Sequence, residues 1–466
     1  MRKLKLLAVL PLFASTLLLA QTSRYDQLAH DIFKELIEIK STESGVGSTP
    51  AAEAASRRLL ANGFTAADVQ VVGPNDRKKN MVARLKGKGL GKPILLLAHL
   101  DVVEARPEDW SPDIDPFRFT ERDGYFYGRG TQDIKDAAAI LLTNFIRWKQ
   151  EGWVPDRDLI LALTADEEGG DANGVDWLLK NRRDLVEAEF CLNGDAGDFQ
   201  SKDGTPEVVT IAAAEKKFAM VQLETTNRGG HGSLPRKDNA IYELAAALGK
   251  LDNFQFAPML NEVTRAQFAA TATTQTGQLA ADMKAVAKNP PDSAAVSRLE
   301  QDPYYNALLR TTCVPTLLEG GHAANALPQR ANAKLNCRIV PGHNPDDILS
   351  GIKKAIGDDK VAVTFSYLLP ETAPPSPLRP EVVTAVTKAA KEMWPSITVI
   401  PTMETGATDG RILRAGGIPT YGVSGVFIDL GDVRSHGKDE RIRTKDFYGG
   451  LEFYNRFVKA VVSAHQ

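Results

Sequence analysis

Histidines and carboxylates recur at the ends of apolar runs in this chain. Residues 94–98, Ile-Leu-Leu-Leu-Ala, break into His99-Leu100-Asp101. The run at 158–164 ends in Asp166-Glu167-Glu168, and the run at 190–192 ends in Asn193-Gly194-Asp195. Asp133 stands just before a helix-like stretch, and His436 follows far downstream. A neutral imidazole binds a metal ion through one ring nitrogen. A carboxylate serves as metal ligand or as general base. Asp101, two residues beyond His99, points to the same side of an extended chain. It is expected to accept the other ring N–H and so fix the tautomer. Each group also has a plainer reading. His99 would be a buried histidine with a satisfied hydrogen bond, Asp133 a helix N-cap, and Glu167 and Glu168 solvated turn residues.

The elements around these groups favour the chemical reading. Five consecutive apolar residues are too few for a free-standing helix and suit a strand buried on both faces of an α/β sheet. The groups follow one another at intervals of roughly thirty residues, about one strand–helix unit each. That spacing collects them at the carboxyl edge of one sheet, where open α/β sheets build their sites. Two histidines and the carboxylates form a mixed N/O set suited to zinc, with cobalt or manganese as alternatives. The set exceeds the four ligands of one tetrahedral zinc, so two ions bridged by one carboxylate fit better.

From about residue 214 the pattern changes. Residues 218–226 alternate as an antiparallel strand does, followed by Gly229-Gly230-His231-Gly232 and a helix at 239–251. Residues 252–310 are polar and helix-like. Strands are expected at 312–318, 332–340 and 361–367, before a proline-rich linker containing Pro370, Pro374, Pro375, Pro377 and Pro380. Residues 104–127 read as a loop. The expected organisation is a leader at 1–20, a catalytic part at 24–213, an inserted block at 214–372, and the returning catalytic part at 373–466. The fold class is α/β, a mixed sheet flanked by helices and interrupted by a smaller α+β domain.

The chain has 466 residues, 43% hydrophobic and 25% charged, with a net charge of −3 from 56 basic and 59 acidic residues. This balance gives no electrostatic case for nucleic acid. Arg2, Lys3 and Lys5 precede an apolar run, residues 6–20, interrupted by Pro11. A basic start, a short apolar stretch and a small residue at its end form an export signal, so a periplasmic or secreted protein is expected, with no membrane attachment after cleavage. An uncleaved anchor is the alternative. An exported chain can form disulfides. Cys313 and Cys337 lie in strand-like runs joined by a glycine-rich loop and are expected to pair, whereas Cys191 reads as a buried core thiol.

The runs AHLDVV, GRGTQDIK, DEEGG, NGDAGD, RGGHGS, NALP, GATDGR and SHGKDE resemble the M20 family of co-catalytic zinc metallopeptidases. Each is weak alone, and together they follow the family's order over nearly the whole chain. The resemblance implies two zinc ions per subunit. His99 would bind one, Asp133 would bridge both, often with a cis peptide bond after it, Glu168 and His436 would complete one shell, and Asp195 the other. Glu167 would be the general base and Asp101 would orient His99. The inserted domain would act as lid and dimerisation domain of a homodimer. His231 would stabilise the oxyanion in the partner subunit's site, with Asn325 near the same oxygen, and Arg338 would bind a substrate carboxylate. The plain alternative for Arg338 is a surface arginine. Asp409 and Arg411 would brace their loop. The implied substrate is a peptide cleaved next to a free carboxylate, by carboxypeptidase or dipeptidase action. Removal of an acyl group from an N-acyl amino acid is the second reading. An inactive binding or scaffolding homologue is the third, and the intact Glu167 argues against it.

Overall fold

The structure is a computed structural model describing residues 10–369 and 373–463, with side chains from Arg24 onward. Arg2, Lys3 and Lys5 of the expected export signal lie outside the described residues. The first helix spans Leu10–Glu38. No helix among the described residues is long and apolar enough to cross a membrane.

The chain divides into two compact units. One comprises Met1–Ile211, Arg379–Val399 and Thr420–Gln466, the other Ala212–Leu378 and Ile400–Pro419. Residues 400–419 were read above with the returning catalytic part, but the contacts of that stretch explain its place in the second unit. The Lys216 N–H donates to the Glu404 carbonyl at 3.0 Å. The Glu215 carboxylate accepts from the Thr408 main chain and hydroxyl and pairs with Arg414.

The first unit is built on a mixed sheet with helices. Six consecutive strands of this sheet run in the spatial order Val69–Val72, Asn80–Leu85, Leu159–Thr164, Ile94–His99, Phe190–Asn193, Thr420–Gly422. From Leu159–Thr164 to Thr420–Gly422 the neighbours are parallel. Ile94–His99 and Leu159–Thr164 are buried along their whole length. That burial accounts for their unbroken apolar runs, since both faces of a central parallel strand meet other elements.

The stretch 104–127, expected to be a loop, contains a hairpin. Thr120–Arg122 and Tyr125–Tyr127 pair, and Arg441–Arg443 adds a third strand. The signal was in the sequence. Asp123 and Gly124 have φ of 52° and 77°, the left-handed pair that an Asp-Gly hairpin turn requires.

The second unit holds an antiparallel sheet in the order Thr312–Gly320, Arg330–Ile339, Lys217–Thr226, Ala362–Leu368. Alternate residues of Arg330–Ile339 are buried. They pack on the helices Ala240–Asp252 and Pro345–Ile356 through Leu244, Ala247, Ile348 and Ile352. The stretch before Thr312 forms four short helices between Glu262 and Leu309. Cys313 faces Cys337 in the sheet register, and the two are joined by a disulfide. Cys191 is free and buried.

Candidate metal centre

Strand register brings the chemistry together. His99 lies opposite Thr164, and Leu97 lies opposite Asn193. The chain beyond these three strand ends therefore carries Asp101, Asp166–Glu168 and Asp195 to one edge of the sheet. Asp166 adopts φ 62° and is held by Lys78 Nζ at 2.6 Å and the Ala172 N–H at 2.8 Å. A Cβ on Gly170 would meet the Asp166 carboxylate at 2.3 Å. The turn that presents Glu167 and Glu168 is thus wound around a buried carboxylate.

Asp133 occupies the loop ahead of the helix Lys135–Gln150. The Asp133–Ile134 peptide bond is cis. The N-cap position falls on Ile134 with no side-chain cap bond, so Asp133 is not the N-cap. Its carboxylate instead lies between two imidazoles. One oxygen is 3.1 Å from His99 Nε2, and the other is 3.0 Å from His436 Nε2. His436 Nε2 also lies 2.9 Å from Glu168 Oε2, and His99 Nε2 lies 3.8 Å from Asp195 Oδ1. Candidate ligand atoms of His99, Asp133 and Glu168 fall within 4.8 Å of one another, as do those of His99, Glu167 and Asp195.

The structure corrects the expected role of Asp101. His99 Nδ1 meets the Asp101 main-chain carbonyl at 3.0 Å, while the nearer carboxylate oxygen stands 3.8 Å away. The carboxylate is occupied elsewhere, accepting the N–H groups of Glu167 at 3.2 Å and Glu168 at 3.0 Å. A ring whose Nδ1–H is committed to a carbonyl presents Nε2 as its lone pair. Asp101 therefore orients His99 through its main chain and sets the glutamates through its side chain.

The carboxylates of this cluster favour positive charge beside them. Burial opposes a charged His99, but the negative Asp195 and the bond to Asp133 outweigh it and hold the imidazole well above its ordinary range. His436 is pushed up to about 10 by its bonds to Asp133 and Glu168. Burial would raise Asp133, yet the two imidazoles hold it well below the ordinary carboxylate range. In this form the protonated imidazoles balance part of the carboxylate charge, and metal ions would take the place of those protons. The donor set, with a central carboxylate offering one oxygen to each side, fits two divalent ions.

Two residues that hold this centre were not singled out from sequence. Glu440 is fully buried and accepts the N–H groups of Gly130, Gln132 and Asp133 at 3.1, 2.7 and 3.2 Å. Its other oxygen pairs with buried Arg129. Burial pushes this carboxyl up to about 7 despite Arg129. Glu440 had appeared only as the last residue of a motif.

His231, Asn325 and Arg338 belong to the second unit. His231 is exposed on the short strand Gly230–His231, opposite Ala326. The Gly232 N–H donates to the Asn325 carbonyl at 2.7 Å, so His231 and Asn325 come together. The Ser233 N–H donates to His231 Nδ1 at 3.2 Å. A neutral ring that accepts at Nδ1 carries its proton on Nε2 and can donate there. Arg338 is half-buried, with its guanidinium 4.9 Å from the centre of the Phe218 ring. It has no carboxylate partner among the described residues.

The pattern that describes peptidase family M20/M25/M40 matches residues 95–460. Among curated proteins, the chain is 29% identical over 388 residues to the probable carboxypeptidase S-like 2 of Dictyostelium discoideum, covering 79% of this chain and 71% of that one. It is also 29% identical over 377 residues to the N-fatty-acyl-amino acid synthase/hydrolase PM20D1 of Homo sapiens, covering 78% and 72%. Among solved structures, it resembles the M20 family metallo-carboxypeptidase Sso-CP2 from Sulfolobus solfataricus, with a TM-score of 0.65, 20% identity, and 93% and 99% of the two chains covered. Human carnosine dipeptidase 1 matches with a TM-score of 0.64 at 14% identity, over 96% and 99%. These structural likenesses establish the fold.

Proposed function

The chain belongs to peptidase family M20/M25/M40 and is a hydrolase of the metallopeptidase and amidohydrolase type, and we propose that it is an exported di-zinc enzyme cleaving the amide bond next to a free carboxylate. The observation that carries this reading is Asp133, which offers one carboxylate oxygen to each of two imidazoles. In the proposed arrangement His99 and Asp195 hold one ion, Glu168 and His436 the other, and Asp133 is shared. Such a pair of ions supplies Lewis-acid polarisation of the amide carbonyl and lowers the pKa of the attacking water.

The protein's own groups do the rest. Glu167 removes a proton from the attacking water and delivers it to the leaving nitrogen. Asp101 fixes the two glutamates through their N–H groups. His231, as an Nε2–H donor, stabilises the developing oxyanion of a partner subunit in a homodimer, with Asn325 beside it. Arg338 receives the substrate carboxylate.

The second reading, hydrolysis of N-acyl amino acids, is favoured by the similarity to the N-fatty-acyl-amino acid synthase/hydrolase. Both readings place the carboxylate on the leaving amine. Export through residues 1–20 accords with the Cys313–Cys337 disulfide, a bond of oxidising compartments. Cell fractionation with non-reducing mass mapping tests it, and a cytosolic protein with both thiols free would overturn export.

The deciding experiment is metal analysis of the purified protein with a screen of dipeptides and N-acyl amino acids. Bound zinc and hydrolysis of at least one series are expected. Absence of metal binding and of turnover after zinc loading would discard the reading.

A further inference from the structure

Two cavities of about 310 Å³ each flank the metal-ligand cluster within the first unit. The one beside Glu168 and Asp101 is lined by Ser41, Thr42, Glu43, Lys78 and Glu104 together with Val102 and Val103. The one beside Asp133 and Asp195 is walled by Ile134, Phe199, Val426 and Ile428, with Leu430 and Val433 also lining it. Leu430 is 66% exposed and Val433 59% exposed. Large apolar side chains left in water beside a concave apolar wall mark a surface that gains by being covered.

The geometry points to this second cavity as the subsite for an apolar group on the acyl side of the scissile amide, with Leu430 and Val433 as specificity-determining residues. The inference rests on the function proposed above and deepens it. Its first support is position. Two ligands of the metal centre, Asp133 and Asp195, form part of the cavity wall, so a group seated there adjoins the reacting carbonyl. Its second support is charge. No lysine, arginine or histidine lines this cavity, whereas Asp133, Asp195 and Asp198 do. A leaving residue's free carboxylate finds no basic side chain to pair with there, so the uncharged acyl half suits this cavity better. A volume near the lower end of small-molecule pockets, about 300–1,000 Å³, suits one bulky side chain or a medium acyl chain.

An apolar group of this kind has two sources, an amino-acid side chain and a fatty acyl chain. The test separates them. The full-length, zinc-loaded enzyme and the variants Leu430→Ser/Val433→Ser and Val433→Trp are compared on two substrate pairs sharing one leaving amino acid. One pair is glycyl and leucyl, the other acetyl and octanoyl. The readout is the ratio of kcat/KM for the bulky over the small member of each pair. Because both residues are exposed, the variants should fold and hold metal as the parent does, which metal analysis verifies. In the parent the bulky member should be preferred in at least one pair. Both variants should lower that ratio by about tenfold or more, the size of effect that one or two methylene contacts produce. A fall in the leucyl pair alone assigns the pocket to a side chain, and a fall in the octanoyl pair alone assigns it to an acyl chain. Ratios within about twofold of the parent in both variants and both pairs would overturn the inference, even with turnover intact. If the loaded parent hydrolyses neither series, the function proposed above fails and this subsite falls with it.

Discussion

Glu167 and Glu168 are adjacent and anchored through their N–H groups by the same Asp101 carboxylate, yet their surroundings differ. Glu168 bonds to His436, at 3.0 and 2.9 Å from its two oxygens, whereas Glu167 groups with His99 and Asp195. Glu167→Gln should therefore lower kcat by about 10²–10⁴ with metal content nearly unchanged, the range that a lost general base accounts for. Glu168→Gln should lose metal as well as rate. Equal metal loss in both, by elemental analysis, would reverse the roles. A substrate carboxylate pairing with Arg338 gives a second test. Amidating that carboxylate should cut kcat/KM by about tenfold to a hundredfold, since one half of a charged pair is then left without its partner. Arg338→Ala should narrow the gap between free and amidated substrates, and equal rates on both with the parent would remove Arg338 from recognition. The metal-ligand candidates were readable from sequence because ligand chemistry restricts residue type and strand ends restrict position. The Asp101 contact was not readable. Main-chain carbonyl and carboxylate of one residue compete for the same ring nitrogen, and the choice depends on two N–H groups lying more than sixty residues onward.

At the level of elements, the loop 430–440 does much of the positioning, because it carries both His436 and Glu440. Its ends are tied together by an ion pair between Arg443 and Asp429, reinforced by Ser201 Oγ at 2.6 Å and the Gly204 N–H at 3.1 Å. The hydrogen bond from Arg443 pulls Asp429 down to about 2 from an ordinary 3.8. A carboxylate lowered on folding stabilises the fold above its unfolded pKa, and that stability is lost as pH falls through the folded value. The loop-closing increment should therefore disappear between about pH 4 and pH 2. Asp429→Asn should lower the melting temperature at neutral pH and flatten its fall across that acid window. A parallel fall in parent and variant would remove the pair from the acid response. Glu440→Gln probes the other tie. It leaves the buried Arg129 without a charged partner, and breaking such a pair costs about 3–5 kcal/mol. Urea unfolding at about pH 8, where Glu440 is ionised, should show a loss of this order together with weaker metal retention. Parent-like stability would show that Arg129 finds another partner. The buried strands were legible as elements because their apolar runs are unmistakable. Glu440 was not legible as a brace because Arg129 lies 311 residues away. Residues 400–419 read as part of the returning half because nothing local reveals their bonds to Glu215 and Lys216.

For the whole molecule the question is how many chains build one site. Within the second unit, Phe218 pairs with Arg338 at one end of the sheet, and Thr226 pairs with Arg330 at the other. Eight residues at about 3.3 Å each separate those ends by roughly 26 Å. His231 and Asn325 lie past the Thr226–Arg330 end, on the short strand pair that follows it. An extended dipeptide spans about 7 Å. If Arg338 grips the carboxylate of such a substrate, the His231 of the same chain is too far along the sheet to reach its carbonyl, and a second copy must supply that histidine. A two-fold dimer does so twice, through equivalent surfaces. The prediction is complementation between inactive subunits. His231→Ala and Glu167→Ala homodimers should each be nearly inactive. In a co-expressed mixture, each heterodimer has one site with an intact base and an intact borrowed histidine. Random pairing makes half the dimers mixed, so about a quarter of all sites should regain activity. Size-exclusion chromatography and differential tags establish that the heterodimer has formed. If that heterodimer stays as inactive as its parents, His231 does not act across the interface, and the shared site must be given up.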